Sequence, residues 1–461
     1  MKLSGGLKSN LKQVCKYAYS LIPLEKRLGK QFFKELEFLE ESQWWSKQEL
    51  ENYQDERLKD VIKHAYENVL YYREVFKERG LVPQDISSKK DLYKFPVLTK
   101  DIVRENLSRL VARNISSRDM IRLNTSGTTG NPLYFYYNPL RNLSRIGFQS
   151  PFVWRQYRWG GHEVNDPRAS LSCWTLPAQR NVLYNPLNKV LILSAYTLKP
   201  QVVKEYALSM EKYAIRFMDG YPSSIDLFTK FLRSQKISRP VDLKAIFCFA
   251  EYLYDWQKKN IEEYWGCRCF NRYGLNERVV WGMDCERHEG LHLIEDFGVT
   301  EFLDDQKNGY KKIVATSLTN YAMPFIRYNT EDYASLLDRD CSCGRGFPLL
   351  EVWGGRTRNF AIAKDGAYVP VANIDIPNVS ENVRQFQFIQ EEEGRLSLSI
   401  VPKEDFSEND IQNIRTKLLE KFSDTIDVNI VFVDSVVQTE NNKTPIFIQN
   451  IKGRPLVSHN G

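Results

Sequence analysis

Residues 124–133 read Asn124-Thr125-Ser126-Gly127-Thr128-Thr129-Gly130-Asn131-Pro132-Leu133. The run lies between two β-rich stretches, MIRLNT before it and PLYFYYN overlapping its end. The chain is therefore expected to turn through it from one strand to the next. Gly127 and Gly130 permit tight backbone curvature. Four hydroxyls and successive N–H groups can wrap a polyphosphate. No Gly-Lys-Ser/Thr follows, so this is not a Walker loop. By composition alone the same cluster also fits an ordinary turn.

Outward from this loop, strand-like and helical runs alternate. RASLSCWTL, KVLILSAY, VDLKAIFCFAE, CRCFNRYG, GLHLIEDFGVTEFL and YKKIVATSL are short and rich in β-formers. They predict an α/β body with parallel or mixed sheet. Residues 31–120 instead repeat apolar side chains every three or four positions, as helices do. Gly80 is placed to cap one helix and Thr99-Lys100-Asp101 to start another. After about residue 356 come two β-rich pairs, the helix SENDIQNIRTKLLEKFS and the strand IDVNIVFVD, an α+β pattern. The expected organisation is a basic segment (1–30), a large domain (31–355, helical over 31–120 and α/β over 121–355) and a small lid-like domain (356–461). The fold class is α/β, α+β overall.

Charge narrows the function. The chain of 461 residues has 64 Lys+Arg and 58 Asp+Glu, a net +6. Residues 1–30 contain Lys2, Lys8, Lys12, Lys16, Lys26, Arg27 and Lys30 against Glu25 alone, so they carry all of it. A neutral body argues against a nucleic-acid partner. Apolar residues between those lysines (Leu7, Leu11, Val14, Leu21 and Ile22 among them) fit a packed or solvated helix, and also an anionic membrane surface. No run of about 18 apolar residues exists to span a membrane, and no convincing signal peptide opens the chain. A cytoplasmic protein is expected, with peripheral contact at the inner membrane face as the other reading of residues 1–30. The eight cysteines then read as thiols or metal ligands.

Thr-Ser-Gly-Thr-Thr-Gly followed by Asn131-Pro132-Leu133 resembles the phosphate loop of the adenylate-forming superfamily: acyl-CoA synthetases, peptide-synthetase adenylation domains and luciferases. Four more stretches follow in the superfamily's order. Ala250-Glu251 resembles its adenine-packing segment. Asn271-Arg272-Tyr273-Gly274-Leu275-Asn276-Glu277 resembles N-x-Y-G-x-T-E. Arg327-Tyr328-Asn329-Thr330-Glu331-Asp332 resembles R-Y-R-T-x-D, and Gly355-Arg356-Thr357 resembles the hinge. AYENVLYYREVF, FPVLTK and MDGYPSSIDLF are similar to the phenylacetate–CoA ligase branch, above all to capsular polysaccharide biosynthesis proteins of the CapK type.

The resemblance implies ATP-dependent activation of a carboxylic acid as its adenylate, with acyl transfer to a sugar, amino acid or CoA, in surface polysaccharide synthesis. An aryl- or acyl-CoA ligase and a catalytically impaired nucleotide-binding scaffold are the alternatives. By motif match, Thr125, Ser126, Gly127, Thr128, Thr129 and Gly130 would hold phosphates and Glu277 would hold Mg²⁺. Ala250, Glu251, Asn271, Tyr273 and Gly274 would surround the nucleotide. Asp332 would accept from the ribose hydroxyls. Arg356 would mark the hinge, and Lys443 in TENNKTP would reach the α-phosphate. Tyr221, Pro222 and Ser223 would lie near the acid. Asn276 in place of Thr, Asn442 before the lysine, and Arg358-Asn359 after the hinge depart from the family pattern. They put use of CoA in doubt.

Cys285, Cys341 and Cys343 with a histidine of CERHEGLH make a Cys₃His set suited to structural Zn²⁺. The related branch places Gly-x-His before the strand, which favours His292 over His288. Free thiols are the alternative. Cys267 and Cys269 read as strand residues. Trp154, Trp174 and Tyr196 read as core or as pocket lining. Arg155, Arg272 or Arg278 is positioned in sequence to bind a second polar group of the substrate.

Overall fold

The computed structural model describes residues 19–125, 133–139, 150–164, 166–172, 174–176, 180–251, 253, 255–304, 311–353, 360–366, 368–371, 374, 376–380, 382–437 and 447–451. The N-terminal third is helical, with helices Lys30–Ser42, Lys47–Asn68 and Leu70–Arg79. Ser46 and Glu49 form a capping box on the second. Gly80, at φ 63°, closes the third in the left-handed region. Thr99 caps a short helix by accepting from the Ile102 N–H at 3.3 Å. Residues 83–119 otherwise form single turns, so helix is less continuous there than the spacing predicts.

Two strands flank the 124–133 loop as expected: β1 (Ile121–Asn124) pairs antiparallel with β2 (Tyr134–Tyr137). Strands β3 (Arg168–Ser172), β4 (Val182–Asn185), β5 (Val190–Ser194), β6 (Phe217–Gly220), β7 (Ala245–Cys248) and β8 (Arg268–Gly274) form one half of the main sheet. The other half has β9 (Trp281–Asp284), β10 (Leu291–Leu293), β11 (Gly298–Asp304), β12 (Lys311–Ser317), β13 (Tyr328–Leu336) and β14 (Leu349–Trp353). The order across this twelve-stranded sheet is β11-β12-β13-β14-β10-β9-β8-β7-β6-β3-β5-β4. Strands β5, β3, β6, β7 and β8 run parallel, and β8 pairs antiparallel with β9. Of the parallel strands, β5 (VLILS) and β7 (AIFC) are nearly continuous apolar runs, as suits a sheet covered by helices such as Pro200–Lys212 and Pro222–Ser234.

Toward the C-terminus, β15 (Phe360–Ile362) pairs with β16 (Tyr368–Pro370). Strands β17 (Val383–Glu392), β18 (Arg395–Pro402), β19 (Asp427–Phe432) and β20 (Phe447–Gln449) form a sheet ordered β19-β18-β17-β20. The helix Glu408–Phe422 lies over it, sharing a separate core of Phe386, Phe388, Leu398, Ile414, Leu418 and Phe422. This unit touches the large sheet side through the Lys199–Asp365 ion pair and through Lys421, which donates to Thr175 and lies 4.5 Å from the Tyr196 ring centroid.

The aromatic trio divides three ways. Trp154 is fully buried core, Trp174 is 45% exposed, and Tyr196 packs against the C-terminal core. No helix among the described residues is long and apolar enough to cross a membrane. Residues 1–18 of the basic segment lie outside the described residues.

Candidate active site and metal-binding cluster

The site forms where the two halves of the large sheet meet. The loop's ends are pinned: the Thr125 N–H donates to Leu133 O at 2.9 Å, and the Leu133 N–H donates to Thr125 Oγ1 at 3.0 Å. Ser126, Gly127, Thr128, Thr129 and Gly130 between them lie outside the described residues, as do Arg356 and Lys443. Asn276 Nδ2 donates to Asn124 O at 3.0 Å, joining the end of β1 to the turn after β8. Asn276, which replaces a family threonine, thus bridges the two motifs.

From β8 and β13, Tyr273 and Asp332 meet directly. The tyrosine hydroxyl donates to Asp332 Oδ2 at 2.8 Å. Backbone geometry holds the acid in place: the Asp332 N–H donates to Thr330 Oγ1 at 3.1 Å, and Thr330 Oγ1 donates to Ile313 O at 2.9 Å. Glu277 is 3% exposed and accepts from Tyr328 at 2.7 Å. Burial and the Glu277 carboxylate push the Tyr328 hydroxyl well above its ordinary pKa, so it stays a donor.

Arg327 turns away from this cluster. Its guanidinium pairs with Glu301 and donates to Phe95 O at 2.6 Å. The Leu98 N–H donates to Arg327 O and the Asn329 N–H to Leu98 O, both at 2.9 Å. The arginine of the fourth motif therefore clamps the FPVLTK segment. Ala250, Arg278, Arg327 and Glu331 all have positive φ (65°, 55°, 54° and 64°). Ala250, Arg327 and Glu331 lie within motif stretches and Arg278 directly follows one, so the backbone there is held against its preference.

Tyr221 and Pro222 sit where β6 ends and the next helix begins, with Pro222 in its first turn. The chain passes β3 closely here, since a Cβ on Gly220 would come 2.2 Å from Leu171 O. The Tyr221 ring lies 5.7 Å from that of Phe249, which directly precedes the exposed Ala250 and the half-buried Glu251. The Ser223 side chain lies outside the described positions.

Beside β9 and β10, the donor atoms of Cys285, His292, Cys341 and Cys343 all lie within 4.8 Å of one another. Cys285 Sγ and Cys341 Sγ are 3.6 Å apart, and Cys343 Sγ is 3.4 Å from His292 Nε2. Tetrahedral Zn–S bonds of about 2.3 Å give S···S edges of about 3.8 Å, so the spacing suits such an ion. His292 Nδ1 contacts Phe347 O at 3.1 Å, which leaves Nε2 to face the thiols. The N–H groups of Arg287 and Arg345 each reach a sulfur at 3.4 Å. Burial raises the Cys285 and Cys341 pKa values and lowers that of His292. His288 is elsewhere: its Nδ1 meets Asp284 Oδ2 at 2.7 Å. Cys269 is a buried strand residue beside Cys248, and Cys267 precedes the same strand.

Sequence reasoning passed over Tyr328 as a partner for Glu277 and Asn276 as a bridge. The first stood inside a quoted motif, the second registered only as a departure.

Comparison with known proteins agrees with this architecture. Residues 362–450 match the family described as the CapK C-terminal domain. The chain is 24% identical to protein CapK of Staphylococcus aureus over 93% of its own length and 94% of the relative's. It is 30% identical to phenylacetate-coenzyme A ligase of Pseudomonas putida, over 62% of its length and 67% of that enzyme's. A solved 2-hydroxyisobutyryl-CoA ligase, in complex with 2-HIB-AMP and CoA, shares the fold at TM-score 0.57 and 19% identity, covering 89% of this chain and 92% of that one. The chain belongs to the adenylate-forming superfamily, in its phenylacetate–CoA ligase-like and CapK-like branch, and is an AMP-forming ligase.

Proposed function

We propose that the protein adenylates a carboxylic acid with ATP and passes the acyl group to a sugar or amino-acid acceptor in surface polysaccharide synthesis. The observation that carries this reading is the convergence of Thr125, Asn276, Glu277, Tyr273 and Asp332 at one junction of the sheet. Likeness to CapK along nearly the whole chain supports the polysaccharide setting. In this reading the loop 125–130 grips the phosphates through backbone N–H groups and hydroxyls. Glu277, aligned by Tyr328, holds Mg²⁺, whose charge offsets that of the phosphates. Tyr273 and the Ala250–Glu251 segment flank adenine, and Asp332 receives the ribose hydroxyls. Tyr221 and Pro222 border the acid. The unit from 356 onward acts as a lid hinged near Arg356, delivering Lys443 to the α-phosphate.

The Cys285–His292–Cys341–Cys343 set holds structural Zn²⁺, pinning β9 and β10 to the Cys341–Cys343 turn. Residues 1–30 lend peripheral contact with the inner membrane face, tested by liposome sedimentation after deleting residues 2–30.

ATP–pyrophosphate exchange over an acid library, with and without CoA, tests the function. Acid-dependent exchange that Lys443→Ala reduces supports adenylation; acid-independent ATP turnover overturns it. Thioester formed on adding CoA would favour the CoA ligase reading, which 30% identity to the Pseudomonas enzyme motivates.

A further inference from the structure

Three arginines pack against the aromatic cluster of Phe152, Trp281 and Phe297, and they differ in what neutralises them. Arg155 is matched in charge: its two terminal nitrogens meet both oxygens of buried Asp296 at 2.6 and 2.9 Å, although its buried Nε has no acceptor among the described residues. Arg272 and Arg278 have no carboxylate oxygen within 4.0 Å among the described residues. Arg272 donates to the neutral Gln156 Oε1 at 3.2 Å, and its Cζ lies 4.7 Å from the Phe249 ring and 5.2 Å from the Trp281 ring. Arg278 reaches Ser150 Oγ at 3.4 Å, and its Cζ lies 5.7 Å from the Trp281 ring. Asp219, whose field reaches Arg272, is already bound by Arg168 Nε at 2.6 Å and the Tyr157 hydroxyl at 2.9 Å.

Further N–H groups in the same cluster go unused among the described residues. Arg278 Nε, Trp281 Nε1 and Gln156 Nε2 are all buried with no acceptor. Gln156 is 1% exposed, Arg278 7% and Trp281 8%. Two guanidinium groups thus pack around one indole ring, and among the described residues they and the Trp281 and Gln156 N–H groups have no anion to meet. Buried charges without partners destabilise a fold, and unpaired buried donors do so as well. Burial, with repulsion from Arg278 added, pulls the Arg272 guanidinium below its ordinary range. Arg272 nevertheless keeps partial solvent contact, so a ligand can reach it. It also lies beside Phe249, whose ring touches that of Tyr221, the border assigned above to the acid.

We propose that the acid activated here carries a second anionic oxygen group, a carboxylate or a phosphate, which seats between Arg272 and Arg278 against Trp281. The inference rests on the adenylation reading for its orientation: one carboxylate meets ATP and the other end is fixed by the arginines. Such a pocket selects against monoanionic acids, because they would leave both cations uncompensated.

The test is exchange by the full-length protein with matched acids that share one carbon skeleton and end in carboxylate, phosphate, hydroxyl or methyl. The dianionic acids are expected to win, and the carboxylate and phosphate arms tell the two sources apart. Arg272→Gln should raise KM for the preferred acid about 10- to 100-fold, the loss of one charge-assisted bond, with KM for ATP little changed. Arg272→Lys should recover part of it. Preference for the hydroxyl or methyl acid, unaltered in Arg272→Gln, overturns the inference while leaving adenylation intact. A second readout needs no turnover. Without ligand, Arg272→Leu should melt higher than wild type, and glutarate or inorganic phosphate should raise the melting temperature of wild type but not of that variant. Should no acid support exchange, adenylation fails by itself, and the anion-dependent melting shift still decides the pocket: no shift in wild type sinks it.

Discussion

Tyr328 donates its hydroxyl to Glu277 across 2.7 Å, and both side chains are buried at the junction between β13 and the turn after β8. The bond orients one carboxylate oxygen and leaves the other for a cation. Stacking on Phe325, with ring centroids 4.9 Å apart at 14°, fixes the tyrosine ring in turn.

Removing that hydroxyl should therefore loosen the carboxylate without removing its charge. Tyr328→Phe is expected to raise the Mg²⁺ concentration needed for half-maximal exchange by about 5- to 10-fold, the worth of one ordinary hydrogen bond. Glu277→Gln should cost far more. Titration of exchange rate against Mg²⁺ at fixed ATP checks both, and an unchanged midpoint in Tyr328→Phe would remove the alignment role.

Asp332 offers a separate check on the nucleotide. If its carboxylate receives both ribose hydroxyls, wild type should discriminate against 2′-deoxy-ATP and Asp332→Ala should not. Equal discrimination by the two proteins would move the ribose elsewhere. Tyr273→Phe, which deletes the 2.8 Å bond to Asp332, should fall between them.

The thiol cluster predicts pH-dependent metal retention. Burial raises Cys285 and Cys341 in the metal-free protein, so an ion must displace protons to bind. Affinity then increases with pH and falls as the solution is acidified. Purified protein should contain about one Zn²⁺ per chain by elemental analysis, lose it on acidification or chelation, and melt lower afterwards. Cys343→Ser and His292→Gln should lower zinc content, whereas His288→Gln should not.

Much of this site could be read before any coordinates, because its pieces are contiguous. Tyr273 and Glu277 share one short motif, and Arg327 through Asp332 share another. What sequence does not contain is the pairing between motifs. Tyr328 meets Glu277 only because β13 and β8 lie in one sheet with β14, β10 and β9 between them. Arg327 matched a nucleotide motif yet pairs with Glu301 and clamps Phe95, the latter a tertiary contact across 232 positions. Strands β6 and β9 were harder to see, since runs such as FMDG and WGMD carry little β-pattern and are held by their neighbours. Arg155, Arg272 and Arg278 looked alike in sequence. Only Asp296 separates the first from the other two.

His162 should make stability fall with acid. It is fully buried, neither ring nitrogen has a hydrogen-bond partner, and its pKa is pulled down to about 4, chiefly by burial and then by Arg168. The unfolded chain binds the proton at the ordinary value near 6.5. The folded state thus gains from neutral His162 fully above pH 6.5 and loses that gain as pH falls from 6.5 toward 4. The amount is on the order of 3 kcal/mol. His162→Phe, set among Trp154, Tyr157 and Phe217, should flatten the melting temperature across that window and raise it at the acid end. An undiminished slope would assign the acid sensitivity to other groups.

The Arg155–Asp296 pair gives the sharpest contrast with the two unmatched arginines. Both partners are 0% exposed. Asp296 also accepts from Ser42 Oγ at 2.6 Å, and Arg155 Nη1 donates to Leu39 O at 3.0 Å. The pair therefore ties the Lys30–Ser42 helix to the Pro151–Trp159 helix and to the approach to β11. Deleting one partner strands a buried charge. Asp296→Ala should cost about 3–5 kcal/mol, seen as a lower first transition on heating. Replacing both, as Arg155→Met with Asp296→Leu, removes the stranded charge and should recover most of that loss. Arg272→Leu should behave in the opposite way to Asp296→Ala, raising the melting temperature of the unliganded protein. If both single changes destabilise alike, Arg272 has a structural counter-ion of its own and is not held open for a ligand.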